Sequence, residues 1–567
     1  MQNPLLHASI ALSCLTVSTA WGAWSAEQPA SSAQWLGLYP AQAFHTVPAD
    51  CTSCGILPQA AWYFEHDLLS VALDQNNITA FSPALTVQED VRQSAQLPVT
   101  EKPLPPLVWR GIAERLQAVQ LQASPAPAVS AQSNSVQANS APANLLDKGR
   151  LPDGSVIDLQ VVPKIPTNLS YLDQTSWAFY RQRPLALGGQ TKEQGEFTIR
   201  TIWPMDFKLE QQTSASPLQD GETLQTLVRQ SHGGAQSPYH SRILWQRQPA
   251  SSPWQDKPAL GIMLNGAQGD DDEAHGGHFA VLTGRVGEDG DWSQWLVNNF
   301  YNLDAYGEKG IIAAITPAEN YLFDLNSGQS FYRPSYMLVA ILKNAEAAQR
   351  YQTAINRVFQ HFYRHDIVYH HSAANCAGLN IDTLRTLGWN IPTRGHAGYM
   401  QAIAAWFYIA VTQQDLTAAR QLYDYLTQES TRLYPAVAFD AIGHDLLNLV
   451  AGKLDRPLSA YERDLADQIE ALVYVHIPQI PSERAFGQAP VYSFAEYLAQ
   501  APADRKDWKI IPTTPRPFPP ELRDGSSPTV QAPFPVPWTV AAVLTSLIGL
   551  LSLVGYLIKT WYQRKRG

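Results

Sequence analysis

The sequence predicts an α+β fold, because strand-like runs fill the middle of the chain and a helical period replaces them further on. Between about residues 150 and 260, Glu196 to Trp203 and Arg242 to Trp245 are rich in β-branched and aromatic residues and are separated by polar turns. Strand-like runs continue at His278 to Arg285, Gln294 to Tyr301 and Tyr336 to Leu342. From Ala345 to Arg364 the period changes, and Ala348, Tyr351, Ala354, Ile355, Val358, Phe359 and Phe362 fall on one helical face. Sheet first and helix next is the order of an α+β domain. Apolar spacing in Tyr399 to Leu426 and Ala441 to Val475 makes 396–500 a helical region. Ala402 to Val411 is too short to span a membrane and reads as a buried helix.

The 567 residues are 45% hydrophobic and 16% charged, enough for two or more domains with a proper core. A formal net charge of -10 offers no basic footprint for DNA or RNA, so nucleic acid is not an expected partner. Residues 1–26 read as a signal peptide: an apolar run from Leu5 to about Ala20, then small residues, although no Lys or Arg precedes the run. Trp538 to Ile558 carries no charge and is long enough to cross a bilayer, which takes about 20 residues. Lys559, Arg564, Lys565 and Arg566 follow, so 559–567 is expected to stay cytoplasmic and the body to lie across the membrane. In a Gram-negative cell this is a single-pass inner-membrane protein with a periplasmic body.

Export decides how the cysteines are read. Cys51 and Cys54 form a CxxC outside any thioredoxin-like strand-helix context, so a structural disulfide is expected. Zinc would want a second pair, which is missing. Cys376 is then the mature cysteine left over, and an odd exported thiol is a candidate reactive group. Residues 27–120 form an N-terminal segment without assignable chemistry. The run 121–146 is nearly all Ala, Ser, Pro, Gln, Asn and Val, the composition of a flexible linker to the main domain at 150–395. Residues 501–537 are dense in Pro and read as a stiff tether above the membrane.

Two motifs carry chemistry. Gly276-Gly277-His278-Phe279-Ala280-Val281-Leu282 opens a strand with an imidazole, and alternation puts His278 on the face of Ala280 and Leu282. Asn375-Cys376 opens an amphipathic segment that Ser372 or Asn375 can cap and that Gly388 and Pro392 end. A thiol attacks as its thiolate, and a helix N-terminus beside an imidazole lowers its pKa. An inert buried Cys is the competing reading. A base also needs a partner to hold its tautomer. Asn298 or Asn299 on the next strand can serve, only one of them facing the His; Asn298 is the one we assign. The backbone N–H of Cys376, with Asn375 or Tyr369, would hold an oxyanion.

The His-before-Cys order resembles the circularly permuted, NlpC-type branch of the papain-like fold. More narrowly, Leu260 to Pro392 resembles the periplasmic domain at the N-terminus of lipoprotein N-acylation transacylases. The resemblance implies a Cys376 nucleophile, a His278 base and a third polar residue on the neighbouring strand. Amide or ester substrates of the cell envelope follow from it: wall peptides, or the acyl chains of lipoproteins or lipids. The chain departs from lipid-acting relatives in lacking a second His on the His278 strand, and Ala377-Gly378 rather than a His follows Cys376.

The remaining signals are weaker. Gly269 to His275, with Asp270, Asp271, Asp272 and Glu273, could take a divalent cation but reads better as a solvated acidic loop. His370 and His371 read as exposed loop residues. Gly328 to Tyr336 suits a groove wall or a packed turn. No nucleotide fingerprint is present and no cofactor is expected. The expected activity is cysteine-dependent acyl transfer; the alternative is a non-catalytic envelope module that keeps the fold.

Overall fold

A computed structural model describes residues 34–523 apart from 52, 74–85, 97–104, 123–146, 162–171, 212–213, 249–252, 304–310, 373, 397 and 513–515. The signal peptide, nearly all of the linker, the end of the tether, the apolar 538–558 stretch and the basic tail lie outside these residues. Among the described residues no helix is long and apolar enough to cross a membrane.

The fold is α+β, as expected. A ribbon of β1 (Trp35–Leu36) and β2 (Tyr39–Pro40) leads into a small sheet of β3 (Phe44–Pro48), β4 (Leu68–Ala72) and β5 (Val108–Trp109). A closed barrel follows, of β6 (Glu114–Gln122), β7 (Asp147–Arg150), β8 (Val156–Val161), β9 (Leu185–Thr191) and β10 (Phe197–Pro204). The main sheet contains β11 (His240–Gln246), β12 (Pro258–Asn265), β13 (His278–Arg285), β14 (Leu296–Asn299), β15 (Ala314–Pro317), β16 (Ser335–Leu342) and β17 (Ile469–Ile477). Its order is β11-β17-β16-β12-β13-β14-β15, antiparallel throughout.

The early helices are α1 (Pro58–Tyr63), α2 (Val87–Gln96), α3 (Gln174–Arg181), α4 (Leu224–Val228) and α5 (Ala318–Phe323). After the sheet come α6 (Glu346–Tyr363), α7 (Cys376–Thr386), α8 (Tyr399–Thr412), α9 (Leu416–Thr427) and α10 (Ser430–Leu433). Helices α11 (Pro435–Ala451), α12 (Ala460–Gln468) and α13 (Phe494–Gln500) complete the set.

Both faces of the main sheet are buried, so period 2 sorts its side chains between two cores. Leu260, Ile262, Phe279, Val281, Leu338 and Leu472 pack with α6, α7 and α11. Ala259, Met263, Ala280, Leu282, Val339 and Val473 pack with the barrel and with α3 and α5. Helices, sheet and barrel therefore form three layers.

Three expectations of organisation are corrected. Segment 27–120 is not a separate unit: Leu36, Tyr63 and Val91 share the core of α6 and α7, and Asp90 of α2 pairs with His361 of α6 at 3.1 Å. The segment 123–146 joins β6 to its own partner β7, with Leu121 opposite Gly149, so its composition marks a connection between neighbouring strands. Nor does the region after 395 consist of helices alone. Ile469 to Ile477 is strand β17, seated between β11 and β16. All nine of its residues are buried, so its apolar run has no alternation to betray a strand.

The Pro-rich stretch is likewise no free tether over its described part. Phe518 is buried and stacks on Tyr63 at 5.6 Å, while Arg516 lies over Trp62 and pairs with Glu65. Prolines cannot extend a helix or a ladder, but they leave isolated aromatic and cationic side chains able to dock.

Arg200 of β10 ties the layers together. Its guanidinium meets Asp67 at 3.0 Å and Asp324 at 2.8 Å, and Asp324 is fully buried. Arg200→Met leaves both carboxylates without their cation, a loss of about 3–5 kcal/mol for a broken buried pair. A fall in the urea midpoint of this size is expected; an unchanged midpoint would remove Arg200 as the clamp between 27–120, the barrel and the end of α5.

Candidate functional site

Cys376 begins α7. The Asn375 side chain caps the helix by accepting from the Gly378 N–H at 2.7 Å, and its amide donates to the carbonyls of His371 and Leu433. Asn375, not Ser372, is the cap, and with its donors spent it offers nothing to an oxyanion. Helix α7 lies against β13, and the β13–β14 register ends at Val281 opposite Asn298. Beyond that point the Phe279 N–H is turned to the Cys376 sulphur, which also receives the Tyr369 hydroxyl and the Ala377 N–H.

Gly277 introduces the strand at φ +70°, a conformation L side chains rarely adopt, and a Cβ there would meet the Asn265 carbonyl at 2.4 Å. Glycine is thus required one residue before the imidazole. His278 pairs in register with Asn265 and is buried. Its Nε2 lies 2.6 Å from Asn299 Oδ1. The Asn299 amide nitrogen donates to the Ile312 carbonyl at 2.8 Å, so its oxygen must accept. In neutral His278 the proton therefore sits on Nε2, and Nδ1 carries the lone pair.

This corrects Asn298 as the orienter. Asn298 sits opposite Val281 and so shares the α6 face, where it donates to the Val281 carbonyl and exchanges hydrogen bonds with Gln352. Asn299 falls on the face of His278. Ala280 and Leu282, on the His278 face, pack into the barrel-side core. Cys376 packs with the opposite core, and what joins it to the His278 strand is the Phe279 N–H, at the sheet end where β13 and β14 part. The contacts seen for the sulphur are the Phe279 and Ala377 N–H groups and Tyr369; none is the imidazole.

Three further residues belong to this neighbourhood. Arg333, buried, donates to Gln329 and to the Gly266 carbonyl. The Tyr321 hydroxyl donates to Asn265 at 2.5 Å, and its ring lies 6.5 Å from that of His278. Tyr301 links the two halves, its ring 6.2 Å from His278 and 6.5 Å from Tyr369. Gly328 to Tyr336 is thus a packed turn whose Arg333 serves the site. Arg333 falls within the stretch read as a groove wall or packed turn, but nothing in the local sequence ties it or Tyr321 to His278.

The site is electrically quiet. Burial pushes the His278 pKa down to about 3, with Arg333 acting in the same direction and the Asn299 bond opposing. Burial pushes the Cys376 thiol up, against the Phe279 N–H, the Tyr369 hydroxyl, the Ala377 N–H and Arg333. A neutral thiol and a neutral imidazole follow at pH 7.

The other candidates have structural work. Among the described residues no group of His, Cys, Asp and Glu could hold a metal ion. Asp271 is buried and caps the turn at Glu273; Asp272 accepts from the Lys509 N–H at 2.7 Å and pairs with His275; Glu273 pairs with Arg505. The acidic loop is therefore a dock for 480–510 and not a freely solvated loop. His370 bonds Ser372 at 2.9 Å and bridges to Ala374, bracing the turn before Cys376. Cys51 and Cys54 are disulfide-bonded, and among the described residues Cys376 is the free thiol.

No protein-family model, curated protein or solved structure matches this chain. Its chemistry therefore rests on its own residues.

A His pKa lowered from about 6.5 makes the unfolded chain bind a proton the folded one does not, so stability falls as pH drops from about 6.5 toward 3. His278→Gln should flatten the slope of unfolding free energy against pH in that window. A slope identical to wild type would contradict a neutral buried His278.

Proposed function

We propose that this chain is a cysteine-dependent acyl-transfer enzyme with a permuted papain-like core, in which Cys376 is the nucleophile, His278 the base and acid, and Asn299 the orienting residue. The observation that carries the proposal is the convergence of three donors on the Cys376 sulphur, one of them the N–H of Phe279, the residue next to His278, whose tautomer Asn299 holds. An inert core cysteine has no need of such donors, which favour the thiolate.

The chemistry follows from that arrangement. With the reacting bond seated where the strands part, Nδ1 of His278 takes the thiol proton as sulphur bonds to the acyl carbon. The imidazolium returns the proton to the leaving alcohol or amine as the carbon–heteroatom bond breaks, leaving a thioester. Water or an amine then attacks, the imidazole again taking a proton, and sulphur departs. The Tyr369 hydroxyl can donate to the oxyanion once the thiol has reacted. Exposure is 4% at Cys376, so residues around it must move for substrate to reach it.

The substrate class we infer is an envelope amide or ester, of wall peptide or of lipoprotein or lipid. It rests on the exported, inner-membrane topology read from 1–26 and 538–558. The closed, neutral resting site favours a second reading, a non-catalytic envelope module in which Cys376 is packing.

A test is intact-mass analysis of the full chain after exposure to p-nitrophenyl acyl esters. One acyl group on Cys376 is expected, lost in Cys376→Ala, slowed about 10²–10⁴-fold in His278→Ala, as for loss of a general base, and slowed less in Asn299→Ala. Asn298→Ala should acylate like wild type provided the fold is kept. Absence of any adduct on wild type, with esters of short and long chains, would leave the binding module.

A further inference from the structure

Helix α8 turns an apolar face to solvent. Met400, Ala404, Phe407, Tyr408 and Val411 recur at i, i+4, i+7, i+8 and i+11 and are all exposed, Met400 at 80%, Tyr408 at 66% and Val411 at 73%. Leu416, at the start of α9, continues the patch at 65%. No charged residue occurs from Tyr399 to Thr412. The expectation of a buried helix is thus corrected: Ala402 alone in α8 is buried, and only the inner side leans on α9. A contiguous apolar face of this kind marks an interaction surface.

We propose that the α8 face docks into the headgroup and acyl boundary of the lipid bilayer, and that the arginine cleft beside it receives anionic headgroups. Two observations select lipid as the occupant. The first is the chain beyond the described residues. Trp538 is 15 residues past Arg523, at most roughly 50 Å of extended chain. If 538–558 spans the bilayer, the body stays within that reach of the membrane surface. The inference rests on that anchor reading.

The second is charge. A cleft of about 700 Å³ is lined by Arg92, Arg385, Arg394 and Arg432 against two carboxylates, Asp382 and Glu429. Arg385 pairs with Glu429, Arg432 with Asp382 and Arg394 with Asp440 just outside the lining, so Arg92 is the guanidinium in excess, and phosphate can share the paired ones. His396, in its wall, lies 4.5 Å ring to ring from Tyr399 at the start of α8, so cleft and helix are continuous. An apolar, aromatic-bearing helix beside guanidiniums is the pairing an anionic bilayer surface binds.

The hairpin is tied to the thiol. After α9, Gln428 donates to the Ser372 carbonyl at 2.8 Å, and Asn375 donates to the Leu433 carbonyl at 3.0 Å. The chain that follows the α8–α9 hairpin thus braces the turn that carries Cys376, and a membrane-borne acyl group is the substrate this arrangement favours.

The full-length protein, in a Cys376→Ser background, is reconstituted into phosphatidylcholine–phosphatidylglycerol vesicles with an environment-sensitive probe attached through Val411→Cys. A second preparation carries the probe through Val156→Cys, on the barrel and half exposed. Doxyl-labelled lipids should quench the probe at position 411 about twofold or more and leave that at 156 nearly unchanged, as for a helix at the acyl boundary. Alkaline carbonate extraction reports the anchor separately. A carbonate-resistant chain whose position 411 is unquenched overturns the docking and keeps the anchor; an extractable chain quenched at 411 does the reverse. A spectral shift at 411 that follows protein-to-lipid ratio and ignores doxyl lipids identifies a second copy on the face and overturns the proposal.

Discussion

The arrangement depends on the place where the β13–β14 ladder stops. While two antiparallel strands remain paired, each N–H belongs to its neighbour. Past Val281 and Asn298 the strands separate, the Phe279 N–H becomes free for the Cys376 sulphur, and Asn299 becomes free to reach His278. Thiol and imidazole come from opposite faces of one sheet, and at this opening the Phe279 N–H links the His278 strand to the sulphur. The network of Thr283, Gln352, Asn298 and Asn356 fastens the paired part just below it, which fixes where the opening begins.

Burial then sets the resting chemistry. A charge in a dry site is expensive, and here both members of the pair avoid it by staying neutral. The local donors and the Arg333 cation oppose that preference at the sulphur, but burial outweighs them and holds the thiol above its ordinary pKa. The same Arg333 discourages a proton on His278, which keeps the imidazole a base. Arg333 is itself held by Gln329 and the Gly266 carbonyl, groups of the turns that flank β12 and β16.

Much of this was legible in the sequence. The α+β order, the limits of β13 and the helix at 346–363 follow from local pattern, which also narrows the α7 cap to Ser372 or Asn375. Asn299 was not separable from Asn298, because alternation within a strand says only that neighbours face opposite ways; the offset between two strands decides which, and that is a tertiary fact. Strand β17 was hidden because burial on both faces erases alternation. The docked Pro-rich segment was hidden because isolated aromatics such as Phe518 carry no period. Arg333 and Tyr321 come close to His278 only through strand order, with β16 and α5 brought there by the sheet.

The most direct measurement of the central claim is the alkylation rate of Cys376 by iodoacetamide from pH 5 to 10, in wild type and His278→Ala. If a neutral imidazole takes the thiol proton, the wild-type rate should flatten into a pH-independent plateau below about pH 8, since His278 stays unprotonated down to about 3. The His278→Ala rate should instead keep falling about tenfold per pH unit, as the thiolate fraction alone dictates. Two curves that fall together over the whole range would contradict the pairing of Cys376 with His278.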